Sequence, residues 1–201
     1  MMTVFLGLAI AYLLGGIPFG YLLVKLTTGR DVRQSGSGNI GATNVLRTTG
    51  RAAGVATLLL DIGKGYLAAW LEGRLTGGDI QWMSVAALAV TIGHAYPVYL
   101  RFRGGKAVAA FVGAWLCVTP LPLAATLLVF VVLVAWSRHI SVGSIMGAGA
   151  FPLAVWLIDH PPFTVVAAAI LSGALVIYRH RENITRLRAG TESVFSFGSR
   201  R

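Results

Sequence analysis

Lys106 follows Gly104 and Gly105 in the stretch RFRGGKAVAAF, where a polar loop gives way to an apolar run. A lysine at a helix start adds a point charge to unpaired N–H donors and to the positive end of the helix dipole, a combination suited to phosphate. Arg101 and Arg103 share this loop and serve equally well as anchors at a membrane boundary. A second stretch, SGSGNIGATNVLR over residues 35–47, is rich in glycine and turn formers. Glycine permits positive φ and close backbone approach, so successive N–H groups of residues 36–41 can converge on phosphate oxygens. Asn39 and Asn44 can donate side-chain hydrogen bonds, and Arg47 a charge-assisted one. No Gly-Lys-Ser/Thr follows, so this is not a nucleotide-binding P-loop, nor is it a G-x-G-x-x-G after a strand. The plainer alternative is a flexible polar loop.

A third polar stretch, YRHRENITRLRAGTES over residues 178–193, places His180 and Asn183 three apart, on one face of a helix. His180 is a candidate proton acceptor or phosphate ligand. Arg179, Arg181, Arg186 and Arg188 also fit a juxtamembrane basic tail attracted to anionic lipid. Asp61 and Lys64 stand three apart inside an apolar segment, where isolated charges are expensive and face a partner or cavity. An intrahelical ion pair packed into a bundle is the leading reading, and a transporter ion site the rival. His94 reads as a packed, hydrogen-bonded residue. The four histidines are scattered, so no metal site is expected, and no G-x-S-x-G marks a serine nucleophile.

The elements that must position these groups follow from composition. The chain is 56% hydrophobic and 12% charged, with mean hydropathy +0.74. A soluble domain carries roughly twice that charged fraction. Lipid offers backbone groups no hydrogen bonds, so the expected fold is an all-α integral membrane protein, one polytopic domain over residues 1–201. Apolar runs predict spans near 3–24, 52–71, 81–100, 144–158 and 163–178. The run 107–136 holds Pro120 and Pro122, and reads as a short helix turning into a second one. That makes about seven transmembrane helices; a five-span arrangement treats this run as one kinked helix and another segment as re-entrant. Pro18 and the nearby Gly15, Gly16 and Gly20 are expected to distort the first span, which lacks a basic n-region and reads as retained. With the N-terminus outside, fifteen of the seventeen Lys and Arg fall inside, as the positive-inside rule requires, and the C-terminus is cytoplasmic. The net charge of +10 comes without an aromatic-interleaved basic platform, so no nucleic-acid partner is expected. Cys117 is alone, which excludes a disulfide framework. Spacings such as Gly16/Gly20 and Gly143/Gly147 fit helix-packing contacts.

Taken together, SGSGNIGATNVLR, DIGKG, GHAYPVYLRFRGGKAVA and RHRENITRLRAGTES closely resemble the bacterial acyl-phosphate:glycerol-3-phosphate acyltransferase family, PlsY type. The resemblance runs from about residue 10 to 195 and departs at Ala107, where the family usually has glycine. It implies transfer of a fatty acyl group from acyl phosphate to the 1-hydroxyl of glycerol 3-phosphate, giving lysophosphatidic acid and phosphate. No cofactor is implied; the partners are the two substrates and membrane lipid. The implied place is the bacterial inner membrane, with the site facing the cytoplasm. The His-x4-Asp signature of better-known glycerolipid acyltransferases is missing. On this resemblance Ser35, Arg47, Lys106, His180 and Asn183 are catalytic. Gly36, Ser37, Gly38, Asn39, Gly41, Asn44, Gly104, Gly105, Ser141 and Gly143 bind substrate phosphate, the last two through N–H donors at a helix start. The hydroxyl proton goes to His180 or to a substrate phosphate oxygen.

Overall fold

A computed structural model describes residues 1–195; Arg200 and Arg201, the last cations of the basic tail, lie outside the described residues. The chain forms two compact units, Met1–Val118 and Thr119–Arg201.

The first unit opens with α1 (Met2–Gly16) and α2 (Phe19–Thr28), one apolar stretch broken at Ile17 and Pro18. Proline has no N–H to continue the helix and pushes the residue before it toward extended backbone, and Ile17 has ψ 115. A 3-10 turn (Val32–Gln34), α3 (Ala42–Thr48), α4 (Arg51–Thr76) and α5 (Ile80–Ala95) follow. A second 3-10 turn (Val98–Leu100) leads to α6 (Val108–Val118). In lipid an apolar side chain gains little by leaving its surroundings, so close van der Waals packing must join the helices. At Gly65 of α4 an added methyl would strike the Ala110 carbonyl, and at Gly113 of α6 it would strike that of Ile62. These two glycines let the α4 and α6 backbones touch. Gly15 and Gly93 do the same for α1 and α5.

The second unit holds α7 (Pro120–Ser137), α8 (Ile140–Asp159), α9 (Phe163–Arg179) and α10 (Arg181–Arg188). α8 packs on α7 and α9. Gly143 faces Phe130 and Val134 of α7, so its place in the Gly143/Gly147 pair is a packing contact. α9 and α10 meet at His180 with a bend of 54°.

Among the described residues, five stretches are long and apolar enough to cross a membrane, counting α1 and α2 as one, or six if α9 and α10 form a single bent span. The apolar run from 107 to 136 is two helices rather than one continuous one, with Pro120 at the start of the second. α6, at 11 residues, is ~16 Å long, about half of a ~30 Å hydrocarbon core.

Candidate functional site

The loop 35–41 is built by its own side chains. Asp31 caps the first 3-10 turn by accepting from the Arg33 N–H, and Arg33 returns a guanidinium bond to Asp31 at 2.6 Å. That bond holds the Asp31 carboxyl at about 2. Arg33 also lies 5.0 Å over the Tyr21 ring, so it is a structural clamp. Asn44, 2% exposed, donates through Nδ2 to the carbonyls of Ser35 and Asn39 and accepts through Oδ1 from the Ser37 N–H at 2.9 Å. Its amide is therefore committed inward, which corrects the expectation that Asn44 contacts phosphate: it is the staple that shapes the loop. The Gly41 N–H is taken by Asn39 Oδ1 and the Gly38 N–H by the Ser35 carbonyl. The Ser37, Gly38 and Gly41 N–H groups thus leave the expected cradle. Among the described residues the N–H groups of Gly36, Asn39 and Ile40 enter no such bond. Ser35 and Arg47 are exposed, and Arg47 stands in the last turn of α3.

Gly104 and Gly105 also differ from expectation. Their N–H groups bond to the carbonyls of Ala95 and His94 at 3.2 and 3.1 Å. They satisfy the end of α5, whose last carbonyls have no helical partner, and are not phosphate donors. A methyl on Gly104 would strike the His94 carbonyl and one on Gly105 the His94 ring. The glycines are there for close approach. Lys106 stands two residues before α6 rather than in its first turn, because Ala107 intervenes with φ 63. Left-handed backbone costs a non-glycine residue about 1–2 kcal/mol. Ala107 is 1% exposed, and its buried methyl is worth about 0.8 kcal/mol. The two effects nearly cancel, so Ala107→Gly is expected to shift stability by under about 1 kcal/mol and keep full turnover. Ala107→Val, β-branched at positive φ, is expected to lower the thermal midpoint sharply. Both are checked by thermal unfolding in detergent.

The two loops share a base. Val24, Val32, Ile40, Val45 and Leu100 form one buried cluster, so the 35–47 loop and the residue just ahead of RFRGGK rest on common packing.

In the second unit His180 and Asn183 are both buried, at 3% and 4% exposed. His180 Nδ1 lies 2.8 Å from the Val176 carbonyl. A carbonyl only accepts, so Nδ1 carries the proton and Nε2 the lone pair. Glu192, which sequence reasoning passed over, organises the rest. It accepts from Ser141 Oγ at 3.0 Å, Asn183 Nδ2 at 2.6 Å and Arg186 Nε at 2.7 Å. Burial raises its carboxyl, but these three hydrogen bonds and the Arg186 charge outweigh burial and hold it below its ordinary value. Because a carboxylate cannot donate, Asn183 must turn Nδ2 toward it, leaving Oδ1 as an acceptor that takes no hydrogen bond among the described residues. Ser141 is bound by its hydroxyl to Glu192, in the first turn of α8. The Gly143 N–H faces the His139 carbonyl at 3.5 Å as α8 begins, and Gly143 packs against Phe130 and Val134. The signal that would have found Glu192 is an acid inside a strongly basic tail.

Asp61 and Lys64 form the expected intrahelical pair, with Lys64 Nζ 2.7 Å from Asp61 Oδ1 and both side chains 3% exposed. No cluster of three or more metal-ligating side chains occurs among the described residues.

Long apolar helices carrying polar clusters at their ends define an all-α integral membrane protein. A family model described as glycerol-3-phosphate acyltransferase matches residues 5–190. Proteins named glycerol-3-phosphate acyltransferase from Geobacter sulfurreducens and Geotalea daltonii are 46% and 47% identical, over 93% and 92% of this chain and 95% and 94% of theirs. The crystal structure of PlsY (YgiH), an integral membrane glycerol 3-phosphate acyltransferase in its glycerol 3-phosphate form, matches with a TM-score of 0.90 at 40% identity and covers 96% of both chains. Its lysophosphatidic acid form matches with a TM-score of 0.86 at 38% identity, over 96% of this chain and 95% of that one. The chain belongs to the glycerol-3-phosphate acyltransferase family, and within it to the PlsY type.

Proposed function

We propose that the protein transfers a fatty acyl group from acyl phosphate to the 1-hydroxyl of sn-glycerol 3-phosphate, forming lysophosphatidic acid and inorganic phosphate. The observation that carries this reading is the fixed amide of Asn183, whose Oδ1 is a buried acceptor suited to a substrate hydroxyl. Acyl phosphate is a mixed anhydride with a good leaving group, so the alcohol attacks the acyl carbon directly and no protein nucleophile is required. The carbonyl oxygen gains negative charge in that step, and the departing phosphate takes the electron pair. Lys106 and Arg47 offset this charge, with Ser35 and the N–H groups of Gly36 and Asn39 binding phosphate oxygens. Asn183 orients glycerol 3-phosphate. The hydroxyl proton passes to Nε2 of His180 or to an oxygen of the acyl phosphate. A His180→Ala variant with near-normal turnover would assign the proton to the substrate.

The membrane setting belongs to the same proposal. Seven helices, with α6 as a short one, place the N-terminus outside the inner membrane and the polar clusters on the cytoplasmic face. The retained positive-inside asymmetry supports that orientation, and labelling of single cysteines from either side in a Cys117→Ser background tests it.

Purified protein given acyl phosphate and glycerol 3-phosphate is expected to release phosphate and lysophosphatidic acid in equal amounts. Absence of both products, with wild type and Lys106→Ala equally silent, would overturn the reading. Asn183→Ala is expected to raise KM for glycerol 3-phosphate about tenfold or more, the worth of one to two hydrogen bonds. Unchanged KM would remove Asn183 from the substrate site.

A further inference from the structure

The buried charges of α4 are connected to the RFRGGK loop. Lys64 Nζ, already paired with Asp61, donates to the Ile17 carbonyl at 2.6 Å and lies 5.6 Å over the Phe19 ring. Asp61 Oδ1 is also 3.7 Å from His94 Nδ1, longer than a hydrogen bond and an ion pair only when the imidazole is protonated, and both side chains are below 5% exposed. His94 is the next link. Its carbonyl takes the Gly105 N–H, and its ring lies so close to Gly105 that a methyl there would strike Nε2. Lys106 is the following residue. On the far side of Lys106, α6 is pressed against α4 where Gly65 of α4 meets the Ala110 carbonyl and Gly113 of α6 meets that of Ile62. The loop therefore has two attachments to α4: a packed one through α6 and a polar one through His94.

A purely structural ion pair needs no third member. Lys64 and Asp61 pair with one another, and Lys64 has a further acceptor in the Ile17 carbonyl, so the pair has partners on its own side without His94. The third member, in contact with the glycines that aim Lys106, gives the pair a second task. We infer that Asp61, Lys64 and His94 are positioning residues, holding the imidazole against Gly105 so that the Lys106 ammonium is presented in one fixed place. This inference rests on the reading of Lys106 as the cation that offsets charge in acyl transfer.

The test is a double-mutant cycle on turnover. Variants His94→Ala, Lys106→Ala and the two combined are purified in detergent, and kcat and KM for glycerol 3-phosphate are measured with thermal midpoints. A positioning role predicts that His94→Ala lowers kcat at least tenfold with KM within about twofold. The same change on top of Lys106→Ala lowers kcat by less than about twofold, because nothing remains to be positioned. Equal fold losses in both backgrounds, or an unchanged kcat in the single variant, would overturn the inference. If His94→Ala does not yield folded protein, His94→Gln is carried through the same cycle and judged by the same ratios. Asp61→Leu with Lys64→Met supplies an independent arm: the charges leave together, and a folded variant with wild-type kcat would also overturn the inference. Wild-type turnover in Lys106→Ala alone is a different result, since it overturns the site reading itself.

Discussion

Lys106→Ala is expected to reduce turnover about 100- to 1000-fold, the usual loss when one preorganised donor to a developing oxyanion is removed. The thermal midpoint should stay near that of wild type. The shape of the loop rests on the Gly104 and Gly105 N–H bonds to α5 and on the Leu100 cluster. Lys106→Arg is expected to recover only part of the loss, because a planar guanidinium on a stiffer fork does not reproduce a compact ammonium at the same point. Measuring kcat and KM separately decides the role. A drop in kcat with KM held marks a contact made in the transition state, whereas a rise in KM alone marks uniform binding.

Glu192→Ala is the second large effect. It strands three donors at once, of which Asn183 and Ser141 are buried. Breaking a buried ion pair by removing one partner costs about 3–5 kcal/mol. Here Arg186 is 36% exposed, and water can re-solvate it, so a loss below that range, about 2–3 kcal/mol, is the better expectation. Turnover should fall with it, because Asn183 loses the contact that fixes its amide. The pH dependence has a definite sign. The Glu192 carboxyl is held below its ordinary value of 4.5 in the folded protein. Its stabilisation is therefore fully present above that ordinary value and is lost as pH falls from there through the lower value of the folded protein. The thermal midpoint should be flat from neutrality down to about pH 5 and decline below, with a smaller decline in Glu192→Gln. A Glu192→Gln profile that follows wild type throughout would remove Glu192 as the titrating group.

Much of this was readable from residue types. The buried Asp61–Lys64 pair followed from the cost of a lone charge in an apolar segment, and spacing at i, i+3 named the partner. The break at Pro18 and the separation of α6 from α7 at Pro120 followed from proline chemistry. What misled was glycine. Composition marks Gly104 and Gly105 as permissive but does not say whether their N–H groups face a ligand or a carbonyl, and here they face α5. Asn44 was misread for a related reason, since a turn-forming asparagine at the surface and a buried staple have the same one-letter code. The Glu192 cluster depends on a chain reversal after α10 that brings residue 192 back onto Asn183 and Ser141. Nothing in local periodicity announces that reversal, although Glu182 and Glu192, two acids among the arginines of the tail, were a usable clue.

The break in the first apolar stretch has a consequence for how the protein is made. The Ile17 carbonyl, left outside the helices at the Pro18 break, accepts from the nearby Phe19 N–H and also from Lys64, 47 residues further along the chain. At ~5–20 residues per second the ribosome needs roughly 2–10 seconds to deliver that lysine. During the interval the carbonyl keeps the local Phe19 N–H as its donor but lacks the Lys64 ammonium, and lipid supplies no replacement for it. The bend of the first segment is thus set locally at Pro18 and gains its charged donor when the second segment arrives, so the second segment locks the shape of the first.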